Sequence, residues 1–99
     1  MNIPPKKPKV SVIIPCYNHG AFLNDAVSSV RNQTFQDYEM IIIDDGSDDP
    51  ETMGLFDNNP FSDATIIRTA NLGPSCARNA GIEKAQGQYI LPLDADDII

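Results

Sequence analysis

Two aspartates separated by one residue, Asp94 and Asp96, stand near the end of the chain, and Asp97 follows them. They come directly after an apolar segment with the character of a buried strand. Carboxylates two positions apart at a strand end can bind one divalent cation together if the chain turns between them. Such oxygen ligands favour Mg²⁺ or Mn²⁺. Water molecules and substrate phosphates usually complete the coordination shell of these ions. The alternative is an acidic surface turn that binds nothing.

A second acidic pair, Asp44 and Asp45, ends the apolar run that begins at Met40. Asp-Gly is common turn chemistry and accounts for Gly46, which is expected to adopt a positive φ. It does not account for two carboxylates after a buried strand. A carboxylate in this position could accept a hydrogen bond from a nucleobase N–H or from ribose hydroxyls.

Other candidate residues each have two interpretations. Tyr17 could be a core aromatic or a platform on which a nucleobase stacks. Arg78 could form a solvated salt bridge or contact an anionic ligand. His19, the lone histidine, is interpreted as a surface or capping residue. Cys16 and Cys76 form no CxxC pair and are interpreted as free thiols in a reducing compartment.

The charge of the chain argues against a nucleic-acid partner. The formal net charge is −7, and three of the 7 basic residues stand before Val10, whereas all 14 acidic residues follow it. Affinity for nucleic acid comes mostly from basic side chains. The excess of carboxylates instead suits a site that holds a metal ion. The chain also lacks the glycine-rich phosphate-binding motifs and the Cys/His spacing of a zinc site.

The elements that must position these residues alternate along the chain. β-Branched runs predict strands, and apolar residues at helical spacing predict helices. The predicted strands cover 10–14, 38–43, 64–68 and 88–93, and the predicted helices cover 20–33, 50–57 and 74–85. Ser47 or Asp48 is expected to cap the second helix. This alternation predicts an α/β fold, with a mostly parallel sheet of about four strands and helices on both faces.

One domain accounts for the whole length. A chain of 99 residues can bury one compact core and no more. Residues 1–9, which contain three prolines and three lysines, are expected to form a flexible leader to a domain over 10–99. The apolar run after the leader is shorter than a signal-peptide core, and no run reaches the ~20 residues that span a bilayer. The expected location is the cytoplasm.

Ligands of open parallel sheets bind outside the carboxyl ends of the strands. The conspicuous polar residues follow the predicted strands: Pro15, Tyr17 and Asn18 after the first, Asp44 and Asp45 after the second, Asn71 and Gly73 after the third, and Asp94 to Asp97 after the fourth. Together at one edge they are hard to explain as solvated turns. The pattern therefore predicts a binding site at this edge.

These residues stand in segments that resemble glycosyltransferase family 2, whose members are inverting enzymes with the Rossmann-like GT-A fold. The matching segments are VSVIIPCYN (10–18), QTF (33–35), EMIIIDDGS (39–47), NLG (71–73), ARNAG (77–81), GQYI (87–90) and DADD (94–97). The order and spacing agree from Val10 onward. The resemblance implies that the chain is the nucleotide-sugar-binding part of a GT-A domain.

The resemblance also implies the ligands. The donor would be a nucleotide-diphospho-sugar, most often a uridine diphosphate sugar, bound with Mn²⁺ or Mg²⁺. By position, the donor-binding residues are Pro15, Tyr17, Asn18, Asp44, Asp45, Asn71, Gly73, Arg78 and Asp94, and the metal ligands are Asp96 and Asp94. Tyr17 would lie near the uracil ring, and Asp45, supported by Asp44, would accept the uracil N–H.

In the family the acceptor hydroxyl, on a glycan or a lipid-linked sugar, displaces the nucleoside diphosphate in one step after a downstream Asp or Glu deprotonates it. The chain stops two residues after Asp97, so we expect it to be the donor-binding part of a longer hexosyltransferase. We expect this part alone to have no transfer activity. The longer protein could be peripheral to a membrane. An apolar patch near Leu91, Leu93, Ile98 and Ile99 is expected to promote self-association.

Two alternatives use the same residues. A non-catalytic module that binds a nucleotide or a nucleotide sugar would need the strand-end residues but no base. A phosphoaspartate receiver or a phosphatase-like domain also has aspartates at strand ends. That hypothesis is weaker because the acidic pairs here follow strands two and four rather than strand one.

Overall fold

The computed structural model describes residues 8–18, 20–58 and 61–93, which form four strands and three helices in alternation. The bounds are β1 Val10–Cys16, α1 Gly20–Arg31, β2 Tyr38–Asp45, α2 Pro50–Asn58, β3 Thr65–Thr69, α3 Pro74–Lys84 and β4 Tyr89–Pro92. The predicted alternation is confirmed. No helix within these ranges has the length and apolar character needed to cross a membrane.

The four strands of the described ranges are all parallel and lie in the order β3-β2-β1-β4. β1 and β2 pair from Val10 opposite Tyr38 to Cys16 opposite Asp44. β4 pairs with β1 only as far as Ile13. The order 3-2-1-4 is that of the first four strands of doubly wound dinucleotide-binding sheets (3-2-1-4-5-6), whereas receiver domains have the order 2-1-3-4-5. The topology therefore separates this chain from the receiver class.

One face of the sheet is covered by α1 and α2. Leu23 and Val27 of α1 and Phe56 of α2 join Ile14 and Met40 of the sheet in one apolar cluster. Leu23 and Val27 lie on the apolar stripe of an amphipathic helix, which is why α1 forms against the sheet rather than alone in water.

The opposite face is covered by α3. Ala77 forms a cluster with Ile13, Ile41 and Ile43. A Cβ added at Gly81 would lie 2.7 Å from Ile43 Cδ1 and 2.8 Å from the Cγ2 atom of Ile13, so the helix approaches the sheet more closely than a larger residue would allow. The predicted placement of helices on both faces is confirmed.

The cap of α2 differs from the prediction. Asp49, rather than Ser47 or Asp48, accepts the hydrogen bond from the Thr52 amide (3.0 Å) and so caps the helix, with Pro50 as its first residue. Ser47 and Asp48 are engaged elsewhere, because the Ser47 hydroxyl accepts from the amide of residue 18 and the Asp48 carboxylate from the side chain of that residue.

The predicted apolar patch is present in part. Leu91 is 38% exposed, as expected, but Leu93 is only 4% exposed. Leu93 is buried because its amide donates to the Ile13 oxygen (2.9 Å) and its side chain joins the cluster on the α1 face. Ile98 and Ile99 lie outside the described residues.

Candidate functional site

The carboxyl ends of the parallel strands meet at one edge of the sheet. The loops that follow β2 and β3, residues 46–49 and 70–73, both leave from this edge. The connection that leaves β1 runs through α1 on one face of the sheet. The connection that enters β4 runs through α3 on the opposite face. β1 and β4 therefore flank a topological switch point, where open α/β sheets bind ligands.

Pro15 ends the pairing of β1 with β4 at this switch point. The last bond of the ladder runs from the Leu93 amide to the Ile13 oxygen. The next one would need an N–H at residue 15, which proline lacks. On its other side Pro15 stays in register with Ile43 of β2. The ladder thus stops one residue before Asp94, and the predicted contact of Pro15 with a base stays a prediction.

Tyr17 follows β1 directly and is 38% exposed, so the interpretation of Tyr17 as a core aromatic is wrong. Leu72, in the loop after β3, is 57% exposed. An exposed aromatic ring beside the strand ends has the position that stacking on a nucleobase requires. That role remains a prediction for Tyr17.

Asn18 joins the loop after β1 to the loop after β2. Its backbone has a φ of 56°, in the left-handed region that asparagine tolerates. Its Oδ1 accepts the amides of Asp48 (3.0 Å) and Asp49 (2.9 Å), and its Nδ2 donates to the Asp48 carboxylate (2.8 Å). Its own amide donates to the Ser47 hydroxyl (3.1 Å). Asn18, predicted to bind the donor, is thus occupied in shaping the site.

Asp45 is 3% exposed and accepts internal hydrogen bonds on both oxygens. The donors are the Thr69 hydroxyl (2.6 Å) and the amides of Leu72 (2.8 Å) and Gly73 (2.9 Å). Burial raises the pKa of Asp45, but the hydrogen bonds from Thr69 and from the backbone amides of the loop lower it by more, so that it lies below its ordinary value. The carboxylate is therefore ionised at neutral pH. Its predicted contact with uracil remains a prediction.

Asp44 is 7% exposed, and its Oδ1 accepts the Ser47 amide (3.1 Å). Gly46, between them, has a φ of 70°, as expected from the Asp-Gly turn. A Cβ at Gly46 would lie 2.7 Å from the amide nitrogen of Asn71, so the loops after β2 and β3 touch at this point. The structure therefore places Asn71, a predicted site residue, against the turn that follows Asp44 and Asp45.

Gly73 has a φ of 100° and stands at the N-terminus of α3, where Pro74 is the first helical residue. Arg78 lies in the second turn of this helix and is half-buried. The donor contacts predicted for Gly73 and Arg78 stay predictions, although the Gly73 amide is already bonded to Asp45.

The predicted metal ligands, Asp94 and Asp96, lie outside the described residues, as does His19. Among the residues that are described, no group of three His, Cys, Asp or Glu side chains could hold a metal ion. The predicted donor set of Asp94 and Asp96 consists of carboxylate oxygens, which fits a hard cation such as Mg²⁺ or Mn²⁺. The chain enters this set from Leu93, at the switch point.

Two residues of the site were missed by reasoning from the sequence. Thr69 holds Asp45, and Thr52 links the Asp49 cap to α1 because its hydroxyl donates to Asp49 (2.9 Å) and accepts the Gly20 amide (3.0 Å). The contact between Thr69 and Asp45 could have been predicted, because both residues end neighbouring strands. Nothing in the local sequence indicates the contacts of Thr52.

Comparison with known proteins assigns the chain to a class. The family model described as Glycosyl transferase family 2 matches residues 11–99, and the chain therefore belongs to this family. An uncharacterized glycosyltransferase of Haemophilus influenzae is 43% identical over an alignment of 95 residues that covers 93% of this chain and 38% of that protein. The GalNAc(5)-diNAcBac-PP-undecaprenol β-1,3-glucosyltransferase of Campylobacter jejuni is 37% identical over 94 residues, covering 91% of this chain and 30% of that protein.

Solved structures confirm the GT-A fold. The crystal structure of Staphylococcus aureus TarS 1–349 in complex with UDP-GlcNAc has a TM-score of 0.78 and 27% identity, over 92% of this chain and 27% of that one. A mannosyltransferase of Pyrobaculum calidifontis in complex with GDP-Man and Mn²⁺ has a TM-score of 0.76, over 94% of this chain and 29% of that one. The latter is 22% identical, so this likeness concerns the fold alone.

Proposed function

We propose that this chain is the donor-binding part of a glycosyltransferase that transfers a sugar from a uridine diphosphate sugar to an acceptor hydroxyl. The observation that carries the proposal is the likeness to TarS, a protein crystallised with UDP-GlcNAc, over 92% of this chain. That range includes strands whose carboxyl ends meet beside an exposed Tyr17. The shared fold and the exposed aromatic ring at this edge support the same class of donor here.

The base and ribose would lie on the loops that Asn18 and Asp45 hold together. Tyr17 presents an exposed ring for stacking on uracil. Asp45 is ionised at neutral pH and can accept the N3–H of uracil. Because the residue is only 3% exposed, loop 70–73 would have to move to admit the base. Asp44 lies beside it at the end of β2.

The diphosphate would lie at the switch point, near the exit of the chain from β4. Asp96 and Asp94 would hold Mg²⁺ or Mn²⁺, which supplies Lewis-acid stabilisation of the departing diphosphate. Transfer with inversion requires the acceptor hydroxyl to attack from the side opposite the diphosphate. The base that deprotonates this hydroxyl, and the acceptor site, would belong to a longer protein, since the relatives extend well beyond the matched residues.

The acceptor class we propose is a glycan or a lipid-linked saccharide. The Campylobacter relative is named for an undecaprenol-linked acceptor, which supports the lipid-linked case. Such an acceptor would place the longer protein on the cytoplasmic surface of a membrane.

Titration calorimetry with UDP and UDP-GlcNAc, in Mn²⁺ and in chelator, tests the proposal. We expect Asp96→Asn to lose the metal-dependent part of the affinity, by about tenfold or more. Asp25→Asn, a matched change on the exposed side of α1, should leave it unaltered. Affinity that is equal with and without metal would contradict the metal assignment, and absence of binding by any nucleotide would contradict the proposed function.

A further inference from the structure

We infer that Glu39 and Gly87 are positioning residues that set the register of β4, and with it the point where the chain leaves the sheet for Asp94 and Asp96. Both lie near the amino ends of the strands, at the opposite edge from the candidate site. The inference rests on the proposed function, because the register matters for binding only if the aspartates after β4 hold the cation.

Glu39 joins three segments through one oxygen. Its Oε2 accepts the Ser11 hydroxyl of β1 (2.5 Å), the Gln86 amide (2.5 Å) and the Gly87 amide (3.2 Å). The Ser11 hydroxyl in turn accepts the Gly87 amide (2.8 Å). Ser11 is fully buried, so these bonds replace water that its hydroxyl cannot reach. We call the set of Ser11, Glu39, Gln86 and Gly87 the β4 clamp.

The clamp also has a steric component. A Cβ at Gly87 would lie 2.4 Å from Ser11 Oγ, 2.6 Å from the Ser11 nitrogen and 2.8 Å from the Val10 carbonyl carbon. Two of these three atoms belong to the backbone of β1 and cannot rotate away. Only glycine therefore lets the segment before β4 approach β1 to hydrogen-bonding distance.

β4 depends on such a clamp because, apart from the buried side chain of Leu93 at its end, few contacts determine its register. It has four residues, it pairs only with β1 in the described part of the chain, and Tyr89, Ile90 and Leu91 are 58%, 39% and 38% exposed. A shift by one residue is opposed by Pro92, which would then have to offer β1 the N–H that it lacks. A shift by two residues keeps the same side chains on the same faces, so side-chain alternation does not oppose it.

The consequence of a two-residue shift falls on the metal ligands. At the rise of a parallel strand it would displace the start of the acidic segment by about 7 Å along β1. A displacement of this size is far larger than metal–oxygen bonds tolerate, so the aspartates would no longer reach the cation. The β4 clamp, at the amino end of β4, therefore determines the position of the metal ligands that follow the carboxyl end of the strand.

Glu39→Ala, Glu39→Gln and Gly87→Ala test the inference, with Glu83→Gln and Gly54→Ala as matched controls. Glu83 is exposed on α3, and a Cβ at Gly54 would meet nothing within 4 Å. The measured quantity is the metal enhancement, which is the ratio of the affinity for UDP in Mn²⁺ to that in chelator. We expect Glu39→Ala and Gly87→Ala to lower it by about tenfold with the affinity in chelator unchanged, and Glu39→Gln, which retains an acceptor oxygen, to lower it less.

A second readout needs no ligand. Hydrogen exchange of the Leu93 amide, which bonds to Ile13, should become at least about tenfold faster in Glu39→Ala and faster by a smaller factor in Glu39→Gln, whereas exchange of the amides that pair β1 with β2 should not change. If Gly87→Ala does not fold, the two Glu39 variants still decide. Unchanged exchange at Leu93, or equal losses of affinity with and without metal, would overturn the inference. A wild-type chain without metal enhancement would contradict the proposed function instead, and exchange at Leu93 would still test the clamp.

Discussion

The Asp45 carboxylate accepts a 2.6 Å hydrogen bond from the hydroxyl of Thr69, the residue opposite it in the register of β2 and β3. The same carboxylate accepts the amides of Leu72 and Gly73. One buried side chain thus connects the ends of two strands with the loop that leads into α3. This relationship predicts how the edge of the sheet responds to acid and to substitution.

Asp45→Asn should lower the free energy of unfolding at neutral pH by about 1.5–3 kcal/mol, because an amide replaces a charged acceptor facing several donors. The pKa of Asp45 is below its ordinary value, so its contribution is complete above the unfolded pKa of about 4 and is lost as the pH falls through the folded pKa. The wild-type and Asp45→Asn unfolding energies, measured in urea, should therefore converge in acid.

Asp25→Asn is the control for this measurement, since Asp25 is exposed on α1. The Asp63 carboxylate, whose pKa is lowered by its hydrogen bond with Arg31, titrates in the same range but is present in every variant, so its effect cancels. A constant difference between wild type and Asp45→Asn from neutral to acid pH would contradict the assigned hydrogen bonds.

Wild-type protein should prefer UDP to CDP by about ten- to hundredfold. An ionised carboxylate accepts the N3–H of uracil, whereas N3 of cytosine is itself an acceptor and would face Asp45 unfavourably. Competition calorimetry with the two diphosphates measures the ratio. Equal affinities for UDP and CDP would contradict the proposed contact of Asp45 with uracil, and its internal hydrogen bonds would then be its role.

Asn18→Ala should destabilise the protein by about 2–3 kcal/mol, since it removes three side-chain hydrogen bonds and leaves alanine at a positive φ. Asn18→Gly should cost less, because glycine adopts this backbone conformation without strain. Asn24→Ala on the exposed side of α1 should be neutral or slightly stabilising. Thermal and urea unfolding of the three variants checks the order, and an Asn18→Ala variant as stable as Asn24→Ala would contradict the role of this residue.

Gly81→Ala should destabilise the protein by about 1–3 kcal/mol, since the new methyl group would meet Ile43 and Ile13 at less than 3 Å. Adding Ile43→Val removes the nearer of the two contacting atoms and should recover part of the loss. Gly54→Ala, in open space on α2, should stabilise by up to about 1 kcal/mol. Urea unfolding distinguishes these cases, and equal effects at the two glycines would show that α3 does not pack as closely as described.

Much of the fold could be predicted from local pattern. Runs such as Met40–Ile43 and the helical spacing of Leu23, Ala26 and Val27 depend only on neighbours in the chain, so the alternation of strands and helices followed from them. Parallel pairing of the strands then predicted that the polar residues after them would lie at the carboxyl edge of the sheet. The prediction that Asp94 and Asp96 bind a cation likewise rests on residue type and spacing alone.

Tertiary structure alone decided what the individual polar side chains do. Asn18 bonds to residues about thirty positions away, and Glu39 bonds to Gly87 across 48 positions. Such contacts depend on the strand order and on the register, which place distant segments side by side. Local sequence carries no record of either, because each bond needs two segments that the fold brings together. The amino acids thus determined the elements and the edge where they carry polar groups, and the packing of the sheet decided which of those groups are bound internally.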